Sequence, residues 1–306
     1  MDHFIPSKII IMHSGPVTSL SVDSTNKILA SSSVDTTIKL VSMSTYTQLL
    51  TLTGHILPVH DIRFVPDQPL LLSCSSDKLV KCFDLTSNKH VRDFRGHSSG
   101  VSTVDSNGNI IASGSLDRTI RIWDQRSRKT LAILSGHVGS ITRVRFRNEE
   151  VISCSDDQTV RIWDFRMMTQ RVLTEHKKPV RDIGIFHNNI VSISNDIIHY
   201  TIKGEDIKSN ILNTENKIIE DKYSENNINK NKIIDDVYKS LCFNSDGICY
   251  IANNKGEIFS YNMETTNING RINCGKEINK ILIDISEKRM FIGCDDNTIM
   301  VYNKSI

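Results

Sequence analysis

No stretch of this 306-residue chain approaches the roughly 18 consecutive apolar residues that a membrane-spanning helix needs. Aromatic residues make up only 6% of it, too few to interleave with basic ones as a stacking surface for single-stranded RNA. Neither sign of charge dominates. Lys and Arg number 37 against 35 Asp and Glu, a formal net charge of +2, so the chain as a whole lacks the basic field of a nucleic-acid binder. The cysteines (Cys74, Cys82, Cys154, Cys242, Cys249, Cys274 and Cys294) form no C-x-x-C pair and no Cys/His ligand spacing. They read as reduced, small core residues of an intracellular protein, with no metal site expected. No P-loop or dinucleotide-binding glycine pattern follows an apolar run, so no cofactor is expected. The apolar patch Ile9–Met12 has neither a basic leader nor a small-residue cleavage site, which argues against a secretory signal. Amphipathic helical periodicity of useful length is also missing.

What is present is a repeat. A histidine recurs at His13, His55, His97, His137 and His176, and an aspartate follows each at Asp35, Asp77, Asp117, Asp157 and Asp196. Both series step by about 40 residues, the length of a four-stranded propeller blade. Four positions before each Asp stands a serine, at Ser31, Ser73, Ser113, Ser153 and Ser192. Six positions after it stands Val41, Phe83, Trp123, Trp163 or Ile202. Between these marks the segments are short, β-branched and alternating, as in Val101–Val104, Ile110–Ser113, Thr119–Trp123 and Thr130–Leu134. Two eroded copies follow. Val237–Asn262 has Tyr261 in the tryptophan place, and Ile278–Asn303 has Asp296 and Tyr302 in register but Ile292 where the serine belongs.

The register SGSLDRTIRIWD (113–124) and SCSDDQTVRIWD (153–164) resembles the WD40 signature. That resemblance implies an all-β fold, a seven-bladed WD40 β-propeller occupying 1–306 as one domain. The last copy stops near Val301–Asn303, and Lys8–Met12 precedes His13 as an extra strand. The N-terminal strand should therefore close the seventh blade and leave no open ring edge.

A His, Ser and Asp in each unit also invites a catalytic reading. A hydrolase needs one triad with an oxyanion hole, however, not five copies spread around a ring. The structural reading has Asp capping the turn between the second and third strands, and Ser linking His to the Trp indole where Trp is present. No catalytic residue is therefore assigned, and the chain is expected not to be an enzyme.

The stretch 203–236 breaks the rhythm. Its tail NTENKIIEDKYSENNINKNKIIDD has no Gly or Pro punctuation, which suggests a strand near Ile207–Leu212 and then a disordered loop over 213–235 between blades five and six. Low-complexity drift and a partner-docking loop are both compatible with it. Basic residues gather in blades four and five as Arg143, Arg145, Arg147, Arg161, Arg166, Arg171, Lys177, Lys178 and Arg181. Strand alternation is expected to scatter several of these to a solvated rim. Lys177, Lys178 and Arg181 follow His176 and should lie on the propeller's upper face as candidate partner-binding residues for an acidic peptide or an RNA phosphate.

Several stretches resemble the pleiotropic regulator family of WD40 proteins. They are SSDKLVKCFDLTSNKHVRDFRGHSSGV (75–101), IWDQRSRKTLAILSGH (122–137), WDFR (163–166), TEHKKPVR (174–181), SISNDI (192–197) and KGE (203–205). The resemblance is strong from Leu52 to Glu205 and faint beyond. It implies a nuclear, non-enzymatic scaffold of pre-mRNA splicing, a subunit of the spliceosomal NineTeen complex that is monomeric within the larger assembly. The implied partners are the Myb-type Cdc-five-like protein, the SNW-domain protein and other spliceosome subunits, with RNA reached through the assembly. That family carries a long segment ahead of its propeller, and only about a dozen residues precede His13 here, which points to a pared-down version. The W-D-x-R runs Trp123–Arg126 and Trp163–Arg166 also fit a substrate receptor of a cullin-RING ubiquitin ligase, the alternative reading.

Overall fold

The computed structural model describes residues 4–127, 129–203, 206–212, 237–263 and 267–305; the loop expected over 213–235 lies outside them. Among these residues twenty-eight strands form seven antiparallel sheets of four. In blades one to six the strands follow chain order from the innermost outward. Blade three shows the pattern, with Val101–Asn107, Ile110–Ser115, Thr119–Asp124 and Thr130–Ser135. The innermost strands Val17–Val22, Val59–Phe64, Val101–Asn107, Ile141–Arg147, Asp182–Phe186, Tyr238–Phe243 and Ile278–Ile283 each touch the next, and the seventh touches the first. The ring is closed.

Burial explains why each segment reads as it does. The second strands, such as Ile110–Ser115, are buried at all but their first residue, so they read as continuous runs of apolar and small residues. An outermost strand such as Thr130–Ser135 exposes all but Leu134 fully or partly. Its buried counterparts in blades one, two and four are Leu52, Phe94 and Leu173. Each core lies between blades, not within one. Leu134 and Ile122 of blade three, for example, pack with Ile141, Val144 and Trp163 of blade four. No blade can bury its faces without both neighbours.

The seventh sheet departs from chain order. Its innermost three strands are Ile278–Ile283, Arg289–Cys294 and Thr298–Lys304, and its outermost is Phe4–Ile11. The N-terminal strand is thus longer than the Lys8–Met12 of the sequence reading. It carries a register shift between Pro6 and Lys8, where a residue without an N–H is tolerated on an edge strand. Phe4 meets Tyr250 of blade six edge-on, with ring centroids 5.8 Å apart. Ile10 packs with Val17, Leu29 and Met43 of blade one. One strand therefore closes the ring against two neighbouring cores. Ile10 is 4% exposed and Ile9 52%. Ile10→Ala should lower unfolding free energy by about 2–4 kcal/mol, and Ile9→Ala by no more than about 0.5 kcal/mol. Equal, small effects in chemical denaturation would mean that this strand does not seal the ring.

Candidate functional site

The loops bearing the repeated His and Asp gather on one face of the propeller. In blade three the His97 Nδ1–H donates to Asp117 Oδ2 at 2.8 Å, and the Ser113 hydroxyl donates to His97 Nε2 at 2.8 Å. The Trp123 indole N–H donates to the same Ser113 Oγ at 2.8 Å. Blade four repeats the arrangement through His137, Asp157, Ser153 and Trp163. Blades one and two have the His–Asp and His–Ser contacts (His13, Asp35 and Ser31; His55, Asp77 and Ser73) with Val41 or Phe83 in the tryptophan place. Such a chain fixes the neutral tautomer with the proton on Nδ1. Burial lowers the pKa of His13, His97 and His137 despite the adjoining carboxylates. Burial also opposes ionisation of Asp35, Asp117 and Asp157. Hydrogen bonds from Thr37, Thr119 and Thr159, aided by the histidines, override it and hold these carboxyls at about 2.

Those bonds also stabilise a strained turn. The residue after each Asp (Thr36, Lys78, Arg118 and Gln158) has φ between 68° and 72°, a conformation that costs an L-residue about 1–3 kcal/mol. The Asp carboxylate accepts the N–H two positions on, from Thr37, Leu79, Thr119 and Thr159. A second serine completes the turn: Ser115 Oγ accepts Asp117 N–H and donates to Gly100 O. Ser33 and Ser75 act likewise. The sequence reading passed over these serines, although Ser-x-Ser-x-Asp recurs in blades one to four.

Blade five corrects the sequence register. Ser192 pairs with Ile198, whereas Ser113 pairs with Arg121, so the turn between second and third strands is two residues shorter. Asp196 therefore does not reach His176, whose Nδ1 is buried without a partner among the described residues. His176 keeps only Ser192, at 2.5 Å, and burial alone pushes its pKa down to about 4. Tyr200, not Ile202, fills the tryptophan place opposite Ile190, and its hydroxyl donates to Glu175 at 3.1 Å. No left-handed residue occurs in this shortened turn.

A second arrangement was missed by the sequence reading. Six residues after each repeated His stand Ser19, Asp61, Thr103, Arg143 and Asp182, and blades six and seven supply Ser240 and Lys280 at the same level. All seven line the central channel and are buried. Asp61 accepts from Ser19 at 2.7 Å and Thr103 at 3.1 Å and pairs with Arg143 at 2.8 Å. Asp182 pairs with the other side of Arg143 at 2.9 Å and with Lys280 at 2.9 Å, and accepts from Ser240 at 3.3 Å. Burial opposes the charge on both carboxyls, and Arg143 holds them below their ordinary value. Burial and Arg143 push Lys280 down to about 8. Arg143 and Arg145 thus face the channel, not the solvated rim expected from strand alternation.

On the His–Asp side of this ring the channel widens into a mouth of about 470 Å³ lined by Ser102, Thr142, Asp156, Arg181, Lys239 and Asn279 among others. Arg181 sits at its edge, 3.4 Å from Asp156, both about half exposed. Lys177 and Lys178 are exposed and have no carboxylate partner among the described residues. Blades one to four present apolar side chains on this face: Val34, Leu57 and Leu116, with Ile56 80% and Val138 75% exposed. Among the described residues no group of three or more His, Cys, Asp or Glu is placed to hold a metal.

The family model described as "WD domain, G-beta repeat" matches residues 5–42, 46–84, 88–124 and 128–164. Each match joins the outermost strand of one sheet to the first three strands of the next, so the sequence repeat and the blade are offset by one strand. Curated relatives are partial and differ in their descriptions. A nuclear distribution protein, nudF 1 of Talaromyces marneffei, is 38% identical over 78 residues, 25% of this chain and 17% of its own. The CCR4-associated factor 4 homolog of Candida glabrata is 31% identical over 118 residues, 35% and 20% respectively. The WD repeat domain-containing protein 83 homolog of Dictyostelium discoideum is 31% identical over 93 residues, 30% and 29%. The matched stretches thus span less than a third of these proteins' lengths.

Two outcomes are expected. Asp117→Ala strands His97 Nδ1 and the Thr119 N–H and should cost about 1–3 kcal/mol, while Asp196→Ala should stay within about 0.5 kcal/mol; urea titration of both variants checks the shortened turn. The pH dependence follows from the depressed values. Unfolded histidines take up protons near pH 6.5, whereas burial holds His13, His97 and His137 below that value in the fold and His176 down to about 4. Stability should therefore fall below pH 6.5, and again from about pH 4 towards 2 as Asp35, Asp117 and Asp157 lose their advantage over the unfolded chain. A melting temperature unchanged between pH 7 and 3 would contradict this assignment.

Proposed function

The chain belongs to the WD40-repeat proteins, and from that premise we propose that it is a nuclear scaffold of pre-mRNA splicing, a NineTeen-complex subunit of the pleiotropic regulator type. WD40 domains mediate protein–protein interactions, and the propeller is in general a non-catalytic scaffold. The observation that carries the reading is the His–Asp face, which exposes Ile56, Leu57, Leu116 and Val138 together with Lys177 and Lys178 and has Arg181 at the channel mouth. An extended partner segment with apolar anchors and acidic residues fits that combination, gaining burial from the first and steering from the second. The basic residues belong to TEHKKPVR (174–181), one of the stretches that resemble the pleiotropic regulators. The partners in this reading are the Cdc-five-like Myb protein and the SNW-domain protein, with RNA reached through the assembly.

The His, Ser and Asp side chains of blades one to four are occupied with one another, which supports a structural role over a catalytic one. The alternative, a cullin-RING substrate receptor, rests on Trp123–Arg126 and Trp163–Arg166. There Asp124 and Asp164 accept the backbone N–H of Arg126 and Arg166, at 2.8 and 2.9 Å.

Affinity purification of the tagged chain from native cells, read by mass spectrometry and small nuclear RNA sequencing, should recover both named partners with spliceosomal RNAs. Triple replacement of Lys177, Lys178 and Arg181 by Glu should reduce that recovery at least about tenfold while lowering the melting temperature only slightly, because rim charges govern association more than folding and the one ion pair lost, Arg181–Asp156, is half exposed. Recovery of a cullin and its adaptor without splicing components would reject the splicing reading.

A further inference from the structure

Beyond the Asp61–Arg143–Asp182 level, on the side away from the His–Asp face, the channel holds a second cavity of about 290 Å³. Its walls differ in character. Two residues further along the inner strands stand Arg63, Asp105 and Arg145 on blades two to four, and Gly184, Cys242 and Leu282 on blades five to seven. One half of the cavity is charged and the other apolar. Gly184 permits the apolar half: a Cβ there would come within 2.1 Å of Leu241 Cδ1 and 2.4 Å of Phe243 Cε2.

The charges at this level do not balance. Asp105 is engaged by Arg63 at 3.0 Å and by the Phe146 N–H at 2.9 Å. The ring above is neutral within itself, Asp61 and Asp182 against Arg143 and Lys280. Arg145 is the remainder. Its Nη1 donates to Val144 O at 3.0 Å, and no carboxylate lies within ion-pair distance of it among the described residues. A guanidinium in so confined a space normally has an anionic partner, because its desolvation is otherwise uncompensated. Four of its five N–H donors have no hydrogen-bond partner among the described residues.

We propose that this cavity binds a small organic anion, its phosphate or carboxylate head held by Arg145 beside Arg63 and its compact apolar body set against Phe243, Ile185 and Leu282. A single negative charge would neutralise the level, and the fork of Arg145 suits bidentate recognition of either oxyanion. The apolar wall discriminates against a bare ion, which has nothing to place there. The proposal stands independently of the splicing reading, since it concerns the opposite side of the channel from Lys177 and Arg181.

The test uses the whole chain and three probes: phenyl phosphate, benzoate and inorganic phosphate, titrated calorimetrically. At least one organic anion should bind more tightly than inorganic phosphate, and Arg145→Met should weaken it at least about tenfold, the worth of a charge-assisted hydrogen bond. Phenyl phosphate and benzoate compared with each other identify the head group. In case that variant does not fold, the unaltered chain serves: phenyl phosphate should protect Arg145 and Arg63 from phenylglyoxal in peptide mass spectrometry, and leave the exposed Arg95 unprotected. No binding of either organic anion, equal binding to Arg145→Met, or protection of Arg95 alongside Arg145 would overturn the proposal.

Discussion

Two carboxylates hold one level of this molecule together. Asp61 and Asp182, with Arg143 between them, receive a hydrogen bond or ion pair from the equivalent residue of every other blade: Ser19, Thr103, Ser240 and Lys280. A ring of sheets has a channel at its axis because seven backbones cannot converge on a point, and whatever lines that channel is cut off from bulk water. Apolar residues would fill it with little directional preference. Charged residues are costly to bury unless each is paired, so they accept only an arrangement in which all are in place. Removing Arg143 would leave both carboxylates short at once.

The blades supply the opposite kind of constraint. Blades one to four are each stitched locally by His, Asp, the serine that bonds the His and a second serine in the turn, bonds that span about 20 residues and form within a single repeat. The cores form between repeats. Local stitching makes a blade-shaped unit, and stacking makes it stable. Blade five shows how far the stitching can be relaxed. Its turn is two residues shorter, it has neither the Asp cap nor the left-handed residue that the cap supports, and Tyr200 with Glu175 replaces the indole. The blade still stands because its apolar contacts to blade four remain: Ile152, Ile162 and Leu173 meet Ile183, Ile190 and Tyr200.

The fold was legible because its repeat is covalent, counted along the chain: seven blades, and closure by the N-terminal strand. Asp196 misled for the same reason. Counting from Ser192 assumes a turn of constant length, and no residue in SISNDI (192–197) announces a deletion of two. Tyr200 could have been found by asking which aromatic residue alternation turns towards the Ser192 side. The channel ring was equally countable, six residues past each His. It was overlooked because its members share no residue type: Ser, Asp, Thr, Arg and Asp again obey one position and no consensus. Position in a repeat carries structural information even where identity does not. Arg143 and Arg145 illustrate it, since alternation correctly puts them on one face of their strand but does not say that this face looks into the channel.

The same counting separates the parts of the surface that are free to change. The repeated His is committed to its blade, but the next residue points to solvent, and in blades two and five so does the one after it. Among them are Ile56 and Leu57 in blade two, Val138 in blade four, and Lys177 and Lys178 in blade five. A partner reading this face reads residues adjacent in sequence to the stitching yet absent from it. Charge or apolar character can therefore vary there from blade to blade without disturbing the hydrogen bonds beneath. Five residues past the His the freedom narrows, because Thr18, Ser102 and Thr142 bond the backbone of the neighbouring blade, Thr18 to Val59 O, Ser102 to Ile141 O and Thr142 to Val180 O. Arg181 occupies that position in blade five and pairs instead with Asp156 of blade four. It ties the recognition surface of blade five to blade four, while Lys177 and Lys178 are recognition surface alone.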